Sequence, residues 1–193
     1  MGIFNNKKGT LMLMTAISLM SVVSTGVTAN DGTISFAGTI SDATCDIIGG
    51  DENNPNQGKD FTVNLPPVSV TALATAGQYA GDTRFYINLS GQNCPNGKVA
   101  NVVFERAQST NIDSATGNLK NHTVAGAATN VQVRILNKDK KPLDLRLQNT
   151  DHQPITIANN TAKFEYWGQY VSVNGAAKAG TVSTDVIYSV TYR

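Results

Sequence analysis

An all-β chain folded as a β-sandwich is what this sequence predicts. Three observations carry that reading. Short runs of alternating apolar and polar residues recur along the 193 residues, turn-forming residues bound each run, and no stretch of ten or more residues sustains a helical period. A charged fraction of only 15%, with 17 Gly and 20 Asn, fits a β-rich extracellular protein dense in turns.

The elements follow in order. Lys7 and Lys8 precede an apolar stretch at residues 11–20, and small residues lead up to Ala29, so residues 1–29 read as a cleavable secretory signal. A membrane anchor is the other reading, but the stretch is short and broken by Thr15 and Ser18. Residues 30–193 then form one domain with a core of its own, carrying 13 basic and 14 acidic residues. That balance argues against a nucleic-acid partner, because no basic excess is present to neutralise phosphates. Along residues 30–42, Ile34, Phe36, Gly38 and Ile40 alternate with polar or small residues. Such a run is either the first strand of the chain's own sandwich or a strand offered to another chain.

Further strands are expected at residues 61–65, 85–89, 99–104, 131–135 and 166–173. Turns are expected at Gly49 and Gly50, at Pro66 and Pro67, at residues 95–97 and 137–139, and at Asn174 and Gly175. One helical turn is expected at residues 70–76, ended by Gly77. Residues 51–58 and 109–128 read as loops. The last strand is the most regular: Val182, Thr184, Val186, Tyr188, Val190 and Tyr192 place an apolar and aromatic row on one face.

Cys45 and Cys94 both lie in the exported part, and an even count there favours a disulfide over a metal site or a nucleophile. Closing that loop stabilises a fold by roughly 4 kcal/mol in the chain-entropy account. The chemistry of catalysis is thinly represented. His122 and His152 are single and far apart, Asp51, Glu52 and Asp185 show no paired-carboxylate logic, and no nucleophile motif, phosphate loop or metal spacing occurs. The expectation is therefore no enzyme, no metal and no cofactor. The triplets at Asn88, Asn121 and Asn159 are what chance gives in so Asn-rich a chain. Trp167, near Phe164, Tyr166 and Tyr170, is either a sugar-stacking platform or a structural aromatic, with Tyr166 and Tyr170 on the opposite face of the strand.

Taken together, the signal segment, residues 32–38 before Cys45, residues 85–89 running into Cys94, residues 128–136 and the terminal residues 188–193 make the chain resemble the type 1-like fimbrial subunits of the chaperone/usher pathway. The resemblance covers essentially all of residues 30–193 and rests on the order and spacing of weak motifs. It implies an incomplete immunoglobulin-like sandwich, residues 43–193, completed by a donor strand from the neighbouring subunit. It implies that Ile34, Phe36, Gly38 and Ile40 are the donor-strand residues, and that Gly180, Val186, Tyr188, Val190 and Tyr192 form the acceptor groove and its chaperone-recognition pattern. Cys45 and Cys94 match the subunits' disulfide pair. The partners implied are further copies or other pilus subunits, a periplasmic chaperone and an outer-membrane usher, and the destination is a cell-surface fimbrium. A major rod subunit is the expected role. Its rivals are a minor or adhesive subunit that binds host glycan or protein, and a secreted β-sandwich hydrolase. Residues 51–60 look long for the family, and the residues before Tyr170 depart from its usual pattern.

Overall fold

A computed structural model describes residues 45–147 and 153–193. Residues 1–29, expected to be a secretory signal, the run with Ile34, Phe36, Gly38 and Ile40, and His152 lie outside the described residues. Among the described residues, eight strands form two sheets, with one 3-10 turn outside them. The larger holds β1 (Asp46–Asp51), β2 (Tyr79–Ser90), β4 (Leu119–Lys120), β5 (Val131–Leu136) and β7 (Ala162–Ser172), in the order β1-β2-β7-β5-β4. The smaller holds β3 (Val99–Phe104), β6 (Ile155–Thr156) and β8 (Tyr188–Tyr192), in the order β6-β3-β8. All pairings within the sheets are antiparallel.

Period-two burial builds the core. Phe85, Ile87 and Leu89 of β2, Phe164 and Tyr166 of β7, and Val133 and Ile135 of β5 point inward from the larger sheet. Ala100 and Val102 of β3 answer from the smaller sheet, with Leu143, Leu145 and Ile157 closing the sides. Tyr166 sits at the aromatic centre, stacked on Phe85 at 5.6 Å and edge-on to Phe104 at 5.3 Å. Each such side chain contributes about 1.5–3 kcal/mol by leaving water. A disulfide joins Cys45, at the foot of β1, to the buried Cys94 just after β2. Asn174 and Gly175 both have positive φ, 58° and 116°, as the turn expected there requires.

Four sequence expectations change. Residues 61–65 and 182–187 are extended but belong to no ladder, so the last strand begins only at Tyr188. Gly49 and Gly50 are not a turn but the end of β1, where a Cβ on Gly49 would stand 2.1 Å from the Phe61 ring. Glycine is there for close approach. The helical turn shortens to a 3-10 turn at Val70–Leu73, capped by the Ser69 hydroxyl. The stretch read as loop after Ser109 contains β4.

Candidate functional site

A groove of about 630 Å³ runs between the two extended segments that have no ladder. One rim is residues 59–65 and the other is residues 182–188, while Phe85, Ile87, Phe104, Leu119, Val133 and Ile135 form an apolar floor. Phe61, Val63 and Leu65 on one rim, and Val182, Val186 and Tyr188 on the other, turn their side chains toward the core. In extended backbone, alternate residues direct their N–H and C=O groups to opposite edges. Among the described residues, no partner reaches the backbone groups of Phe61, Val63 and Leu65, or those of Val182, Thr184 and Val186. Thr184 Oγ1, buried in the same wall, has no partner among the described residues either. The groove is thus an apolar trough flanked by two open hydrogen-bonding edges. Gly168 keeps its floor low, since a Cβ there would meet Leu65 at 3.3 Å.

The outer edges of the same segments are held at several points. The Gln57 side-chain amide accepts from the Thr62 N–H and donates to the Thr62 carbonyl, both at 2.9 Å. The fully buried Asp51 carboxylate accepts from the N–H groups of Asn64 at 2.9 Å, Asn53 at 2.9 Å and Asn54 at 2.8 Å. On the second rim, Asn121 accepts from the Ser183 N–H at 2.8 Å and donates to the Thr181 and Ala128 carbonyls. The buried Ser109 hydroxyl accepts from the Ile187 N–H at 3.0 Å. The His122 N–H donates to the Ser183 carbonyl, and the His122 ring and the Asn111 amide converge on the Asp185 carboxylate.

Burial alone would push the Asp51 carboxyl up, but the backbone N–H groups of Asn64, Asn54 and Asn53 and the Asn64 side chain together hold it below the ordinary carboxylate value. A group with a depressed folded pKa stabilises fully above its unfolded value, about 3.9, and loses that contribution as pH falls through the folded pKa. Chemical denaturation of the folded domain should therefore show a loss of stability below about pH 4. The Asp51→Asn variant should be less stable at neutral pH and show a smaller acid step.

The residues expected from sequence fall in different places. Val186 and Tyr188 line the groove, and the Tyr188 hydroxyl donates to the Lys59 carbonyl of the opposite rim at 2.7 Å. Val190 and Tyr192 continue the row along β8 and pack on the core, with Tyr192 also bordering a small separate cavity beside Val99 and Pro154. Gly180 borders a cavity beyond the groove, with Tyr170 and Val182 shared between the two. A Cβ on Gly180 would stand 2.3 Å from the Ala128 nitrogen and 2.5 Å from the Ala127 carbonyl carbon. Trp167 lies on the far face of β7, opposite Tyr166 and Tyr170, as alternation required. Its ring carries Lys140 Nζ at 4.0 Å and the Arg84 guanidinium at 5.4 Å from the centroid, so a stacking sugar would have to displace a cation. His122 serves the second rim. Asp51, Gln57, Ser109 and Asn121 were not anticipated, because nothing local in the sequence marks which distant backbone group a polar side chain will hold.

Comparison with known proteins agrees with this geometry. The chain is 40% identical over 170 residues to the major fimbrial subunit SMF-1 of Stenotrophomonas maltophilia strain K279a, covering 85% of this chain and 94% of that protein. It is 36% identical to the F17 fimbrial protein of Escherichia coli, covering 91% and 94%. The solved structure of a chaperone-usher pilus superposes with a TM-score of 0.56 at 16% identity, covering 85% and 96%, which is a likeness of fold. The sandwich is thus an incomplete immunoglobulin-like fold of the kind seen in such subunits. The family model described as Fimbrial protein matches residues 34–193, and the chain belongs to that family as a structural subunit of a surface fimbria.

Proposed function

We propose that this subunit forms the rod of the fimbria by donor-strand exchange. Residues 30–42 of one subunit, led by Ile34, Phe36, Gly38 and Ile40, enter the groove of the next. Gly180, Val186, Tyr188, Val190 and Tyr192 belong to the accepting side. A periplasmic chaperone occupies the groove first, an outer-membrane usher then passes the subunit to the growing fibre, and the subunit has no catalytic role. The observation that carries this reading is the pair of open backbone edges on either side of an apolar floor, which suits β-strand addition. Main-chain bonds supply affinity there, and alternate side chains supply register. Because the contact is head-to-tail and does not close on itself, it propagates as a filament.

The rod role is supported by the likeness to a protein named as a major fimbrial subunit, and no observation favours the adhesive alternative, whose best platform, Trp167, is covered by cations. Gly38→Asn tests the donor assignment. A side chain inserted where the donor backbone passes through the groove should cost about 1–3 kcal/mol of capture by overpacking, while the subunit itself still folds and is held by its chaperone. Denaturant-resistant oligomers should fall about tenfold or more. An equal loss of chaperone-held subunit would instead place this run in the chain's own sandwich.

A further inference from the structure

We propose that Gln57, Asp51, Asn121 and Ser109 are positioning residues for strand capture. Their side chains stand in for a neighbouring strand on the outer edges of both rims, so that the inner edges are already extended when the incoming strand arrives. This inference rests on the donor-strand reading of the groove and adds to it the residues that prepare the edges.

The argument is one of parity. Extended backbone in a folded protein is ordinarily held by a ladder on at least one side, yet residues 61–65 and 182–187 lie in no sheet. On the first rim the bonds to side chains fall on Thr62 and Asn64, and on the second rim they fall on Thr181, Ser183 and Ile187. Four backbone bonds complete the second set: the Ala128 N–H donates to the Thr181 carbonyl, the Thr181 N–H to the Gly126 carbonyl, the His122 N–H to the Ser183 carbonyl and the Glu105 N–H to the Ile187 carbonyl. Every one of these residues has the parity that faces away from the groove. The residues between them, Phe61, Val63 and Leu65 on one side and Val182, Thr184 and Val186 on the other, have the parity that faces into it.

Gln57 shows the device most plainly. Its primary amide gives Thr62 one donor and one acceptor, the two bonds a residue in an antiparallel partner strand would supply. A side chain ends the ladder after one residue, so the outer edge is satisfied without offering a template for a second strand. Asp51, from a fully buried position, supplies the acceptor alone, taking the Asn64 N–H. A rim that frayed would be competent only part of the time, and apparent affinity falls in proportion to that competent fraction.

The test uses Gln57→Ala, and Gln57→Ala combined with Asn121→Ala, in residues 30–193, each diluted from denaturant to nanomolar concentration into excess peptide so that capture precedes self-association. Two quantities are measured for each: the association rate of a fluorescein-labelled synthetic peptide of residues 30–42, and the urea midpoint of the same variant carrying a donor copy fused after Arg193. The single variant should capture peptide about tenfold more slowly, the size expected from two hydrogen bonds of ordinary net strength. The double variant should be slower still. The fused forms should keep midpoints close to the parent's, because the seated donor strand then holds the rims. Unchanged capture rates would overturn the proposal, and so would a fall in fused-form stability, or a failure of that form to fold, matching the loss in rate. Absence of peptide capture by the parent chain is a different result, which removes the donor-strand reading and this inference with it.

Discussion

Residues 30–193 carrying a second copy of residues 30–42 after Arg193, joined by a flexible linker long enough to reach the groove, should be a soluble monomer. The same chain without the added strand should self-associate or aggregate. The expectation follows from magnitude. Burying Ile34, Phe36 and Ile40 contributes about 1.5–3 kcal/mol each, or roughly 5–9 kcal/mol before hydrogen bonds and ordering costs. A domain of this size has a net stability of about 5–15 kcal/mol, so an empty groove forfeits a large share of it. The open edges on Phe61, Val63, Leu65, Val182, Thr184 and Val186 also template pairing with any available strand. Linking the donor raises its effective concentration to about millimolar, enough for intramolecular pairing to win at the dilutions used for sedimentation. Analytical ultracentrifugation reads both forms. A well-folded monomer without the added strand would remove the basis for strand exchange.

The second large effect is expected at Gly180. Its neighbours are all backbone: the Ala128 nitrogen at 2.3 Å, the Ala127 carbonyl carbon at 2.5 Å and the Gly126 carbonyl oxygen at 2.6 Å from where a Cβ would stand. Backbone cannot rotate aside as the end of a flexible side chain can. Gly180→Ala should therefore force the segment before Val182 away from residues 126–128, where the Ala128 N–H donates to the Thr181 carbonyl and the Thr181 N–H to the Gly126 carbonyl. The cost should be about 1–3 kcal/mol, read as a lower urea midpoint in the donor-fused chain. Because the second rim starts at this anchor, peptide capture should fall as well. Gly168→Ala supplies the contrast. Its nearest contact is the Leu65 side chain at 3.3 Å, which can shift, so it should alter the groove floor at a smaller cost in stability.

Much of this fold was legible because side-chain burial writes itself into the sequence at period two. Residues 85–89, 99–104, 131–135 and 166–173 all lie largely within strands, and the alternation that sets Tyr166 inside and Trp167 outside holds from Ala162 to Trp167. The same signal misled at residues 61–65 and 182–187. Alternation reports which face is buried, and it carries no information on whether a neighbouring strand is present to complete a ladder. Those two segments alternate because Phe61, Val63, Leu65, Val182 and Val186 sit on the core, while their inner backbone edges stay open. Gly49 and Gly50 misled for another reason, since close approach to Phe61 and a turn both call for glycine. The groove's apolar row was readable at Val182, Val186 and Tyr188. The polar side chains that hold its edges were not: Asp51 and Gln57 sit in what reads as a loop, and Asn121 and Ser109 reach partners 60 or more residues away.

Amide hydrogen exchange in assembled fibres, resolved to single residues, tests the account most directly. If the strand of a neighbouring subunit lies between the rims, the amides of Phe61, Val63 and Leu65, and those of Val182, Thr184 and Val186, should be as protected as the central amides of β3. Protection confined to Thr62, Asn64, Ser183 and Ile187, with rapid exchange at the six groove-facing amides, would mean that the groove stays unpaired in the fibre and that the subunits are joined in some other way.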